Sequence, residues 1–99
     1  MKHPAKLSAA NADARLSAIP GWTRQGRKLH RMFPFRDFSE AFGFMARVAL
    51  AAEKLGHHPD WANAWNHVTV DLSTHDAGGI TELDFRLAAE MNRLAGDKK

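Results

Sequence analysis

Residues 37–60 read DFSEAFGFMARVALAAEKLGHHPD: a helix start, a helix stop and a pair of histidines just beyond it. Phe38, Phe42, Met45, Ala49, Ala52 and Leu55 recur at three- and four-residue steps, which aligns them along one side of a helix. Asp37, followed by Glu40 three positions on, has the form of a capping box, so the helix is expected to run from Phe38 to Leu55. Gly56 falls where a left-handed C-cap is needed, and Pro59 keeps the helix from resuming. Phe38, Phe42 and Met45 are accordingly expected in the core.

On the N-terminal side, Ser8 before an Ala-rich run to Leu16 reads as a short capped helix ended by Ile19-Pro20-Gly21. Trp22-Thr23 and Leu29 to Phe35, joined through Gln25-Gly26-Arg27, read as a hairpin with Phe33 and Phe35 on one face. Pro34 cannot donate to a ladder, which points to an edge strand. On the C-terminal side, Trp61 to Trp65 leads into Val68, Val70 and Leu72 alternating with Thr69, Asp71 and Ser73, the pattern of a half-buried strand. After the turn Ala77-Gly78-Gly79, Thr81 with Asp84 three positions on opens a last helix whose Leu83, Leu87, Met91 and Leu94 share a face. Gly96 and the polar tail Asp97-Lys98-Lys99 close it. The order helix, hairpin, helix, strand or strands, helix describes an α+β domain over residues 1–99, with its helices on one face of a small antiparallel sheet.

The chain has 99 residues, 44% of them hydrophobic, which is room for one core and too little for a doubly wound dinucleotide domain or a barrel. It has no cysteine, hence no disulfide framework, no Cys-ligated zinc and no thiol nucleophile. The formal charge is +3, but beyond Arg24, Arg27, Lys28 and Arg31 the basic residues are interleaved with acids, so direct nucleic-acid binding is not expected. Met1 to Arg15 lacks the apolar segment of a secretory signal, and the apolar run Val48 to Ala52 is far short of the ~20 residues of a spanning helix. A cytoplasmic protein without membrane association is the expectation. Six histidines in so short a chain is the feature that asks for a chemical explanation.

His57 and His58 sit at a helix exit, Glu53 one turn back, His75 at a strand exit and Asp84 in the first turn of a helix. The carbonyl end of a helix favours an imidazolium there, and Pro59 holds His58 extended. One charged and one neutral imidazole in a common pocket would supply the acid and the base that removal of water requires. Each piece also has a plainer explanation: a histidine at an element end serves as a surface or capping residue, Glu53 as an i to i+4 partner, and Asp84 as a helix-terminus carboxylate. A zinc site of three imidazoles and a carboxylate is the competing chemical reading; against it, adjacent side chains in an extended segment point apart, so His57 and His58 do not readily ligate one ion. No nucleophile elbow surrounds Ser8, Ser17, Ser39 or Ser73, and Gly78-Gly79 lacks the lysine and spacing of a phosphate loop.

These residues resemble the pterin-4a-carbinolamine dehydratases. The likeness runs from Pro20 to about Leu94 and is carried by Gly21-Trp22, by Glu53-Lys54-Leu55-Gly56-His57-His58-Pro59-Asp60-Trp61, by Ser73-Thr74-His75-Asp76 and by Thr81-Glu82-Leu83-Asp84. The resemblance implies a four-stranded antiparallel sheet with three helices packed on one face, in the order α-β-β-α-β-β-α, and homodimers or homotetramers. It implies dehydration of 4a-hydroxytetrahydropterin to the quinonoid dihydropterin in tetrahydrobiopterin recycling, with the pterin as substrate and neither metal nor organic cofactor. By the same resemblance His57, His58 and His75 surround the pterin, Glu53 and Asp84 support them, Gly56 lies at the site, Ser73, Thr74 and Asp76 hold the ring's polar edge, and Trp22 packs nearby. His58 is expected to be the principal proton donor. His3, His30 and His67 receive no role. The alternative function implied by animal members is a dimerisation cofactor of a transcription factor.

Overall fold

The computed structural model describes residues 4–96; His3 and the tail Asp97-Lys98-Lys99 lie outside the described residues. Helix α1 spans Ala9–Ala14 and is followed by a 3-10 turn, Leu16–Ala18. Strands β1 (Thr23–Gln25) and β2 (Lys28–Pro34) form the first hairpin, and helix α2 covers Phe38–Leu55. Strands β3 (Asp60–Ala64) and β4 (His67–Leu72) form the second, and a 3-10 turn, His75–Ala77, leads to α3, Glu82–Ala95. The sheet runs in the order β1-β2-β4-β3 with every neighbour antiparallel. This is the α-β-β-α-β-β-α architecture with its four-stranded antiparallel sheet and three helices.

Side-chain alternation divides the sheet. Leu29 and Phe33 of β2 and Val68, Val70 and Leu72 of β4 are buried toward Ala41, Phe44, Val48 and Ala52 of α2 and toward Leu87, Ala88 and Met91 of α3. The opposite face carries His30, Thr69 and Asp71, all partly exposed. Aromatic rings fill the centre: Phe44 lies 4.8 Å from Phe33 and 4.9 Å from Phe35, and such pairs contribute about 0.5–1.5 kcal/mol each beyond their burial.

The bounds of α2 follow from its caps. The Asp37 carboxylate accepts from the Glu40 backbone N–H at 2.9 Å, and the Glu40 carboxylate reaches back to the Arg36 N–H at 2.8 Å, one residue before the N-cap. Two expectations are corrected. Phe38 and Phe42 are not in the core but 51% and 56% exposed, and Ala49 is exposed with them. The apolar arc of the helix is broad enough for two overlapping stripes, and the one formed by Ala41, Phe44, Val48 and Ala52 is the one buried against the sheet. Nor is β2 an edge strand, for it lies between β1 and β4. Phe35 N–H donates to Asn66 O at 2.8 Å, and successive strand residues direct their N–H groups to opposite sides, so the Pro34 nitrogen faces away from β4. There β1 has already ended, its pairing with β2 reaching only His30, and no ladder bond is lost.

Candidate functional site

The exits of α2 and β4 and the start of α3 converge at one end of the sheet. Gly56 adopts φ 71°, and its N–H donates to Glu53 O at 3.2 Å while His57 N–H donates to Ala52 O at 3.1 Å. These two bonds are a Schellman motif, which fixes the backbone of His57 as it leaves the helix. The His57 imidazole turns inward, with Nε2 2.6 Å from Asp84 Oδ1. Asp84 is 0% exposed, a position a carboxylate tolerates only when fully hydrogen-bonded. Its Oδ2 accepts from the Thr81 backbone N–H at 2.8 Å and from the Thr74 hydroxyl at 2.9 Å, and it lies in the first turn of α3, where the helix dipole favours negative charge. An ionised Asp84 can only accept, so His57 Nε2 carries a hydrogen and Nδ1 is the nitrogen left to face a substrate.

His58, adjacent in sequence, turns outward. Its side chain is 63% exposed, and Nε2 lies 3.0 Å from Glu53 Oε1, one turn back in α2. His75 begins the 3-10 turn after β4, is 82% exposed, and places Nε2 3.7 Å from Asp60 Oδ2, an ion-pair distance too long for a hydrogen bond. That turn is held by Thr74 N–H donating to Gly79 O at 2.8 Å and by Gly78 in the left-handed conformation, φ 79°. Between these groups lies an open cleft of about 310 Å³. Its walls are Gly56 to Asp60 on one side and Ser73 to Asp76 on the other, with Leu83 between them.

The structure thus brings His57, His58, His75, Gly56, Ser73, Thr74 and Asp76 to one cleft, with Asp84 behind His57 and Glu53 beside His58. Trp22 lies elsewhere. It is buried against Phe33, and its indole N–H donates to Asn92 Oδ1 at 2.8 Å, eight residues and about 12 Å along α3 from Asp84. Asp60, Leu83 and Thr81 were not among the expected site residues. Asp60 directly follows the His-His-Pro run, and Thr81 is accounted for in sequence by capping alone, so neither carries a separate signal there. His30 pairs with Asp71 at 2.8 Å across the open face of the sheet, and His67 Nδ1 donates to Ala64 O at 2.9 Å; neither lines the cleft. Among the described residues, no three His, Cys, Asp or Glu side chains are grouped so as to hold a metal ion.

Sheet, helices and histidine-lined cleft together define a small α+β protein of the pterin-dehydratase class. The chain belongs to the pterin 4 alpha carbinolamine dehydratase family, whose model matches residues 5–94. A protein of Sinorhizobium fredii named "Putative pterin-4-alpha-carbinolamine dehydratase" is 50% identical over 96% of this chain and 92% of its own length. One of the same name from Nitrobacter winogradskyi is 60% identical over 81% of each. Among solved structures, a transcriptional coactivator/pterin dehydratase from Brucella melitensis is 48% identical with a TM-score of 0.89, covering 92% of this chain and 99% of that one. A pterin dehydratase-like protein described as a RuBisCO assembly factor in the alpha-carboxysome is 26% identical with a TM-score of 0.66, covering 77% of this chain and 90% of that one.

Proposed function

We propose that this chain dehydrates 4a-hydroxytetrahydropterins to quinonoid dihydropterins, as in tetrahydrobiopterin recycling, by histidine acid-base chemistry. The observation that carries the reading is the contrast between neighbouring imidazoles on one cleft: His57 held by a buried carboxylate, His58 exposed beside Glu53. In the reaction the bond from C4a to the hydroxyl oxygen breaks, and the hydroxyl takes a proton and leaves as water. The N5–H proton goes to a base, and its bonding pair closes the C4a=N5 double bond. His57, with Nε2–H on Asp84, offers Nδ1 as that base, and the carboxylate stabilises the imidazolium that results. His58 is the proton donor to the leaving hydroxyl, and His75 bounds the cleft on the opposite wall, 3.7 Å from Asp60 Oδ2. The pterin is the substrate, and the scheme calls on no cofactor.

A second reading, an interaction module, is supported by the apolar side chains α2 leaves exposed, Phe38, Phe42 and Leu50, and by the names of the two structural relatives. We take that face as the contact of a homodimer or homotetramer, with no direct nucleic-acid or membrane contact and a cytoplasmic location. The deciding assay follows quinonoid dihydropterin formation from a freshly generated 4a-hydroxytetrahydropterin. Acceleration over the buffer reaction, abolished in His57→Ala, is expected. A wild-type rate equal to buffer overturns the enzyme reading in favour of the interaction module.

A further inference from the structure

Thr74, in the cleft wall, and Thr81, behind it, are buried with their hydroxyl oxygens 2.7 Å apart. The hydrogens of this pair can be counted. Thr74 Oγ1 lies 2.9 Å from Asp84 Oδ2, and a carboxylate oxygen only accepts, so the single Thr74 hydroxyl hydrogen points there. Thr74 therefore accepts from its other neighbour, and Thr81 donates. Thr81 Oγ1 in turn accepts the Leu83 backbone N–H at 3.2 Å. The chain of donors runs one way, from Leu83 N–H through Thr81 and Thr74 to Asp84, whose other oxygen holds His57 Nε2 at 2.6 Å.

A helix cap needs an acceptor only, which Ser, Asp or Asn would supply as well as Thr. This position uses the hydroxyl as a donor too, in a direction capping does not require. We propose that Thr81 is a positioning residue that, through Thr74 and Asp84, holds His57 in the tautomer with hydrogen on Nε2 and Nδ1 toward the cleft. The kinetic consequence rests on the dehydratase reading; the imidazole's tautomer does not. With valine at position 81, Thr74 still donates to Asp84 but loses the donor on its other side, so its hydroxyl is no longer fixed from both directions and the bond that aims the Asp84 carboxylate is loosened.

The experiment compares Thr81→Val, Thr81→Ser and Thr74→Val in the full chain, with Ser8→Ala as a control that removes the cap of α1, where Ser8 Oγ accepts from Asn11 N–H at 3.1 Å. It reads the ring ¹⁵N shifts of His57, the exchange of its Nε2–H, and kcat, KM and their pH profiles. In Thr81→Val the ring shifts move toward a mixture of tautomers and the Nε2–H exchanges faster. There kcat falls about tenfold, the equivalent of one hydrogen bond made in the transition state, with KM little changed. Thr81→Ser restores both. Ser8→Ala lowers Tm but leaves the His57 signals and the pH profile as they were. If Thr81→Val does not fold, Thr74→Val, which keeps the cap, takes its place with the same expectations. The proposal is overturned if the folded variant lowers only Tm with wild-type His57 signals, or if serine fails to restore them. A wild-type chain without dehydratase activity removes the dehydratase reading and leaves the ring signals to decide this one.

Discussion

His57 and His58 are consecutive, yet one side chain is 11% exposed and the other 63%, because the Schellman turn aims the first into the protein just before Pro59 extends the chain. Their replacement should therefore differ in kind. His58→Ala removes an exposed side chain and should leave Tm near wild type while lowering the dehydration rate about 10²–10⁴-fold, the usual contribution of a positioned acid. If that variant keeps its rate while His57→Ala or His75→Ala loses it, His58 is not the proton donor. Asp84→Asn should cost both activity and stability. Its amide oxygen is held by the Thr81 N–H and the Thr74 hydroxyl, so the NH₂ meets Nε2–H of His57 donor to donor, and relief requires the hydrogen to move to Nδ1. Thermal unfolding should show a loss of about 1–3 kcal/mol, with kcat down by about 10² or more. The histidines were readable in sequence through their spacing. Thr81 was not, since the direction of a hydroxyl hydrogen depends on Thr74, which only folding brings beside it.

Helix α2 separates what local chemistry determines from what packing determines. Both ends lie where Asp37 and Gly56 predict, because caps are satisfied by residues within five positions. Its buried face does not follow from the chain alone: Phe44 was chosen over Phe42 by contact with Phe33 and Phe35 across the sheet. The place of β2 is likewise nonlocal, set by pairing with β4 some 40 residues on. Helix α3 offers a pH test. The Arg15 guanidinium, hydrogen-bonded to Glu82 at 2.6 and 3.0 Å, holds the Glu82 carboxyl below its ordinary value of 4.5. A carboxyl depressed on folding stabilises the fold above its unfolded pKa, and that contribution is lost as pH falls through the folded value. Wild type should exceed Glu82→Gln in stability at pH 6, by no more than about 1 kcal/mol for so exposed a pair, and the gap should close below pH 4.5. Chemical denaturation at the two pH values measures it; a gap independent of pH would mean the ion pair contributes nothing.

At the scale of the molecule, the same misjudged face of α2 becomes informative. Phe38, Phe42, Ala46, Ala49 and Leu50 are all exposed and follow one another at helical steps, and Phe38 and Phe42 lie ring to ring at 5.8 Å. Contiguous apolar surface of this kind is costly in water, which makes this face the expected contact of the proposed oligomer. A stable dimer buries about 600–1,000 Å² per partner, roughly a tenth to a sixth of this chain's 5935 Å². Phe38 and Phe42 lie toward the N-terminal end of α2, 18 and 14 residues, or about 27 and 21 Å, along the helix from Gly56 at the cleft. Association and chemistry should therefore separate. Sedimentation of the wild type should give two or four times 11.0 kDa, and the double variant Phe38→Ser, Phe42→Ser a smaller multiple, with its circular dichroism and its dehydration rate per chain unchanged. A wild type that sediments at 11.0 kDa, or a double variant that keeps the larger mass, would remove α2 from the interface. A double variant that dissociates and also loses activity would show instead that the cleft depends on a neighbouring copy.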